Sequence, residues 1–217
     1  MPDVPKAATD CVRFGAQGIT VHPRPDERHI RYLDVYQIKP IIDVELNIEG
    51  NPIKKFMELV CKVHPAQVTL VPDSRDVLTS NSGWDTISNA AFLKETCRIL
   101  RSEGIRSSIF VDPDVRMVRG AAEAGSDRIE LYTYAYAHGY MSSREKAIAP
   151  YFDACREAVS CGLEVNAGHD LNLDNLAYFK KTMPRLDEVS IGHALICDAL
   201  YMGLEKAIGA YLHELNK

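Results

Sequence analysis

No run of apolar residues in this 217-residue chain approaches the roughly 20 needed to cross a bilayer. Excess positive charge is absent too. The formal net charge is −5, which speaks against a nucleic-acid or anionic-membrane partner. The opening, Met-Pro-Asp-Val-Pro-Lys, lacks the charged-then-apolar pattern of a secretory signal, so a cytoplasmic address is expected. Tryptophan occurs once, and neither a short-period repeat nor a low-complexity segment is present. The six cysteines, Cys11, Cys61, Cys97, Cys155, Cys161 and Cys197, form no C-x-x-C pair. They read as free thiols buried on helices in a reducing compartment, not as a zinc site.

What is there is alternation. Seven short apolar or β-branched runs recur at 18–22, 44–49, 67–72, 106–112, 128–132, 164–169 and 188–193. Stretches of helical periodicity separate them, as in Phe56, Leu59, Val60 and Val63. Strand and helix in alternation along a whole chain predict one α/β domain over residues 1–217, a parallel sheet covered by helices. In Glu45-Leu46-Asn47-Ile48-Glu49 every second residue is polar. That suits a barrel wall with one face toward a polar interior and the other packed on helices. A TIM (β/α)8 barrel opens on a strand and has eight; this chain opens on a helix over 4–17 and shows seven. Either a first strand is missing or the sheet is open. The last helix, 194–216, is expected to break at Gly203 or Gly209.

Two connections exceed the usual length for compact α/β folds. One is 73–85, with Trp84; the other is 133–144, with Tyr134, Tyr136, His138 and Tyr140. Both follow strands, so both belong to the face that carries catalysis in such barrels. They read as lids, and the tyrosine-rich one equally as a subunit contact.

The polar residues fall where chemistry is done. His22 and Arg24 follow the first run, and Glu49 ends the second. Asp112 ends the fourth, Glu130 lies in the fifth, His169 ends the sixth, and Gly192 and His193 end the seventh. Ligands of parallel α/β folds bind beyond the carboxyl ends of strands. Buried charges are costly without partners, so a convergent set is hard to explain as packing. Imidazoles near neutrality and a carboxylate raised by desolvation make a proton-shuttling set of His22, Glu49 and His169. Glu130 could stabilise positive charge, for example on an iminium. No lysine ends a strand, so a Schiff base through the enzyme is not expected. No H-x-H pair occurs, and a catalytic metal is not expected either. The glycines of Ala167-Gly168-His169-Asp170 and Ile191-Gly192-His193 suggest phosphate loops, the second directly before a helix. Arg24 could fork onto another phosphate, whereas Asp26 and Arg28 read as a solvated turn.

These residues bear a family resemblance. Gly18-Ile-Thr-Val-His-Pro-Arg-Pro-Asp-Glu-Arg-His-Ile30 resembles the signature of the pyridoxine 5′-phosphate synthases. Asn47-Ile-Glu49, Val165-Asn-Ala-Gly-His169 and Ile191-Gly-His193 follow in that family's order and spacing. The resemblance runs from about Val4 to the C-terminus. It implies a (β/α)8 barrel, a homo-octamer, with no metal and no organic cofactor. The implied reaction condenses 3-amino-2-oxopropyl phosphate with 1-deoxy-D-xylulose 5-phosphate, releasing phosphate and water as a pyridine ring closes. Carried over, His22 and Glu49 are proton acceptors, His169 is the proton donor, and Glu130 stabilises the transition state. Arg24, His29 and Thr79 contact the deoxyxylulose phosphate; Gly192 and His193 contact the aminoketone phosphate. Asp170 stands where some members have glycine, so its contact would come through the backbone. Members begin with a strand bearing an Asn and then an Arg that touch substrate, and this chain opens after them. Three readings follow. The first is the synthase. The second is another phosphosugar barrel of the aldolase or isomerase type. The third is a shortened, impaired or non-catalytic barrel that keeps phosphate sites.

Overall fold

The computed structural model describes residues 3–73 and 82–217. Its centre is a sheet of seven parallel strands: β1 (Gly18–Val21), β2 (Glu45–Gly50), β3 (Gln67–Leu70), β4 (Arg106–Val111), β5 (Arg128–Tyr132), β6 (Glu164–Gly168) and β7 (Glu188–Ser190). Their spatial order is their chain order. Around them run α1 (Val4–Arg13), α2 (Tyr32–Ile38), α3 (Lys54–Val63), α4 (Ala90–Ser102), α5 (Val115–Glu123), α6 (Tyr134–Ser160), α7 (Leu176–Thr182), α8 (His193–Met202) and α9 (Leu204–Leu215). All seven expected runs form strands, and the sheet is a nearly closed barrel. Among the described residues β1 pairs with β2 and β7 with β6, and no ladder joins β1 to β7.

Local signals account for the elements. Asp3 caps α1, its carboxylate accepting the Lys6 N–H at 2.9 Å. On α3 the periodic residues Phe56, Leu59, Val60 and Val63 are the buried ones. The final helix breaks at Gly203, whose φ of 85° lies where a Cβ is unwelcome, so α8 and α9 are separate.

The tyrosine-rich segment is a correction. Residues 134–142 are not a loop but the first part of α6, which changes direction at Ser143, where the backbone is extended (φ −166°, ψ 98°). Tyr136 and Tyr140 lie one helical turn apart and their rings meet edge-on, with centroids 5.5 Å apart. Tyr136 is fully buried against Tyr151 and Phe179. Its hydroxyl donates to the Asn175 carbonyl at 2.7 Å. Aromatic burial decides the helix here, where composition suggested a turn. Trp84 likewise does not sit in an open lid. It is buried, and its indole N–H donates to the Leu70 carbonyl at 3.1 Å. The thiols divide: Cys97 and Cys155 are buried, Cys11 and Cys61 half-buried, Cys161 and Cys197 exposed.

The barrel interior is layered and polar at both ends. At the floor Arg128 bridges Glu164 at 2.5 Å and Glu188 at 2.9 Å, and donates to Gln67 at 3.1 Å. Arg106 pairs with Glu45 in the same layer and donates to Gln67 at 3.0 Å. At the middle, Asn47, Thr69 and Glu130 are buried from three strands. The mouth lies above them, at the carboxyl ends.

Candidate active site

The mouth holds a cavity of about 630 Å³. Its walls bring together His22, Arg24, His29, Glu49, Glu130, His169, Asp170, Gly192 and His193. These lie as much as 171 residues apart in the chain, yet all but Glu130, which points up from within β5, follow or lie at the end of a strand, so a parallel sheet delivers them to one mouth. Thr79 lies outside the described residues. Asp112 does not join the set: its carboxylate accepts the Gly83 N–H at 3.0 Å and fastens the segment before α4. Asp26 and Arg28 form the expected turn, paired at 3.1 Å.

His22 Nδ1 stands 3.8 Å from Glu49 Oε2, close enough for charge coupling and too far for a hydrogen bond. His22 Nε2 is buried and has no hydrogen-bond partner among the described residues. Burial drives the His22 pKa down to about 4; Asp73 opposes this, and Arg24 and His169 add to it. Burial lifts the Glu49 carboxyl to about 7, with the charges of Glu188 and Asp73 reinforcing the rise. Near neutrality, then, His22 is an uncharged acceptor and Glu49 exchanges its proton readily.

Glu130 sits deeper and is 2% exposed. Burial first, then the charges of Glu49 and Glu188, raise its pKa well above the usual carboxylate range. The Thr69 hydroxyl lies 3.3 Å from its Oε2. Gly168 owes its identity to this carboxyl: a Cβ built there would fall 2.1 Å from Glu130 Oε1. The glycine that the sequence suggests for a phosphate loop therefore also makes room for Glu130.

His169 follows β6 with φ at 83°, a left-handed conformation that non-glycine residues seldom adopt. Strain of this kind persists only where the surroundings impose it, and it tends to mark functional positions. The ring packs edge-on against Tyr132 at 5.0 Å and also meets Phe110 at 6.0 Å. Burial lowers its pKa; Asp170 and Asp73 oppose that shift.

Sequence reasoning missed several members. Asp73, just past β3, holds Arg24 through an ion pair of 2.9 Å with both groups buried. The strand-end rule that found Glu49 could have found it. Thr20, His138 and Ser190 also line the cavity. His138 arrives only because residues 134–142 are helical, which composition did not signal.

Gly192 caps α8 and His193 begins it. Among the described residues a Cβ at Gly192 would meet nothing within 4 Å, so packing against them does not explain the glycine. Gly192, His193 and Ala194 line the cavity, so the N-terminus of α8 lies at its wall, an arrangement suited to an anion.

The chain matches the family model described as pyridoxal phosphate biosynthesis protein PdxJ over residues 1–217. It is 59% identical to a pyridoxine 5′-phosphate synthase of Cytophaga hutchinsonii, covering 100% of this chain and 91% of that relative. A pyridoxine 5′-phosphate synthase of Parabacteroides distasonis is 60% identical with the same coverage. Among solved structures, an N-(5′-phosphoribosyl)anthranilate isomerase from Pyrococcus furiosus superposes with a TM-score of 0.66 at 11% identity, covering 97% of this chain and 93% of that one. A thiamine phosphate pyrophosphorylase from the same organism gives 0.62 at 13%, covering 99% and 90%. At such identities the likeness to the two structures concerns the fold alone.

Proposed function

This chain belongs to the PdxJ family of pyridoxal phosphate biosynthesis proteins, and we propose that it acts as a pyridoxine 5′-phosphate synthase on 3-amino-2-oxopropyl phosphate and 1-deoxy-D-xylulose 5-phosphate. The observation that carries the reading is one cavity lined by an acid–base set (His22, Glu49, Glu130 and His169) beside a helix N-terminus opened by Gly192 and His193.

The amine of the aminoketone supplies the Schiff base, so no enzyme lysine is required. Glu49, with a pKa of about 7, takes protons at physiological pH, and neutral His22 takes others. His169 is the donor to departing oxygen. Burial holds it neutral in the free protein, and the negative charge of two bound phosphates would raise its proton affinity toward that role. Glu130 supports positive charge developing on the iminium. Arg24 and His29 serve the sugar phosphate, with Thr79 expected beside them. Gly192 and His193, with the N–H groups of α8, serve the aminoketone phosphate. Asp170 contributes through its backbone. No metal or organic cofactor enters the scheme. A cytoplasmic homo-octamer is the expected form, and the exposed apolar residues Ile196, Leu200 and Tyr201 on α8 favour association.

The test is direct. The purified chain is incubated with both substrates, and pyridoxine 5′-phosphate and released phosphate are quantified by chromatography. Equimolar appearance of the two is expected. Absence of product from a folded protein overturns the reading. Tight binding of either substrate by calorimetry, without product, would favour a barrel that binds phosphates without turnover. That no ladder joins β1 to β7 among the described residues gives that second reading its support.

A further inference from the structure

Beneath the cavity, side chains from four strands form a line of polar groups. Asn47 Nδ2 donates to Thr20 Oγ1 at 3.4 Å. Asn47 Oδ1 lies 3.2 Å from the Thr69 hydroxyl. That hydroxyl lies 3.3 Å from Glu130 Oε2. Parallel register sets this up: Thr20 pairs with Asn47 across β1 and β2, and Thr69 stands beside Glu49 across β2 and β3. Asn47, Thr69 and Glu130 are all buried.

Counting protons makes the line directional. A threonine hydroxyl has one proton to give and can accept as well. With the Asn47 amide oriented as here, an ionised Glu130 would leave Thr69 facing two acceptors, Asn47 Oδ1 and Glu130 Oε2, with a single proton. One buried acceptor would go unserved, at a cost of about 1–3 kcal/mol. With a proton on Oε2 every group is satisfied: Glu130 donates to Thr69, Thr69 to Asn47, and Asn47 to Thr20. Reversing the whole line, with the Asn47 amide turned over, would also satisfy it, but only around a carboxylate. That carboxylate would lie buried, facing Glu49 from β2 and Glu188 from β7, and both carboxyls oppose its charge.

We infer that Thr69 and Asn47 are positioning residues that hold Glu130 as a neutral acid, its proton turned to Thr69 and its other oxygen, Oε1, left as an acceptor for a substrate N–H or O–H. This deepens the synthase reading and rests on it for the identity of the substrate. It also alters the part given to Glu130. The residue meets positive charge with an oriented carbonyl dipole rather than with a net charge. An iminium N–H can donate to such an oxygen without first taking its proton away. Gly168 leaves room for Oε1 itself, since a Cβ there would fall 2.1 Å from it.

Difference infrared spectroscopy of the free protein at pH 7 tests this. A protonated-carboxyl C=O band should be present in the wild type and lost in Glu130→Gln. It should move to higher frequency in Thr69→Val, where the acid loses its acceptor, and return in Thr69→Ser. In turnover, Thr69→Val should lower kcat about tenfold while KM changes less than about twofold, the equivalent of one lost hydrogen bond at the transition state. Thr69→Ser should restore it. A wild type without the band, or a band that Thr69→Val leaves in place, overturns the inference. The spectroscopic arm needs no substrate, so it decides the state of Glu130 even if no product is formed and the synthase reading fails.

Discussion

Glu49 and Gly168 carry most of what can be tested at single positions. Glu49 must be deprotonated to act as a base, and burial places that event near pH 7. kcat/KM is therefore expected to rise as pH increases through about 7, as a steady-state pH profile would show. Glu49→Gln should abolish product while circular dichroism stays that of the wild type; full activity in that variant would sink the assignment. The same raised pKa has a stability consequence. The folded state holds a proton on Glu49 that the unfolded chain has released between its ordinary value near 4.5 and about 7, so this group's contribution falls as pH rises through that window. Glu49→Gln should gain on the wild type across it, by up to about 3 kcal/mol, in urea denaturations at pH 5 and pH 7.5. Gly168 is constrained by a neighbour, not by its own backbone. In Gly168→Ala the new methyl would meet the Glu130 carboxyl, which must swing away from Thr69. A loss of about 1–3 kcal/mol is expected from overpacking, with a fall in kcat out of proportion to it. Wild-type kcat in that variant would refute the packing argument.

At the scale of elements, the strands were legible in the sequence and α6 was not. The seven runs are short and rich in apolar or β-branched residues, some with polar residues at alternate positions as in Glu45–Glu49, which is the mark of a barrel wall. Residues 134–142 look like a loop because tyrosine, glycine and serine are common there. They fold as a helix because Tyr136 finds Tyr151, Phe179 and the Asn175 carbonyl, partners 15 to 43 residues away. No local window contains that information. Tyr136→Phe keeps the ring and removes only the hydroxyl, so the buried Asn175 carbonyl loses one of its two donors and keeps the Phe179 N–H at 3.1 Å. Stability should fall by about 1–2 kcal/mol in urea denaturation. An unchanged midpoint would mean that ring packing alone sets the helix. The helix also delivers His138 to the cavity, so the site depends on an element that composition hid.

The whole molecule divides into a charged floor, a hydrogen-bonded middle and a reactive mouth, stacked inside one sheet. The floor ties distant strands together: Arg128 on β5 reaches Glu164 on β6, Glu188 on β7 and Gln67 on β3. Removing the cation leaves Glu188, which is half-buried, without this partner, while Glu164 keeps its ion pair with Arg185 at 3.0 Å. Arg128→Met is expected to cost about 1–3 kcal/mol, read as a lower denaturation midpoint. The double variant Arg128→Met with Glu188→Gln should recover part of the loss. Failure of the second change to help would mean that the floor is held by packing instead.

The sequence by itself determined the seven strands, their parallel sense, the helices between most of them and the rim that bears His22, Glu49, His169 and Gly192. Those features rest on local periodicity and on a topological rule, that a parallel sheet gathers its strand ends on one side. Tertiary structure alone decided the protonation of the site, the partner of Arg24, the reason for Gly168 and the helical start of α6. Each depends on groups brought close by folding. Desolvation raises Glu49 and lowers His22 only once the barrel has removed water around them. Spacing along a chain shows which residues reach the mouth, whereas their charge there follows from what surrounds them.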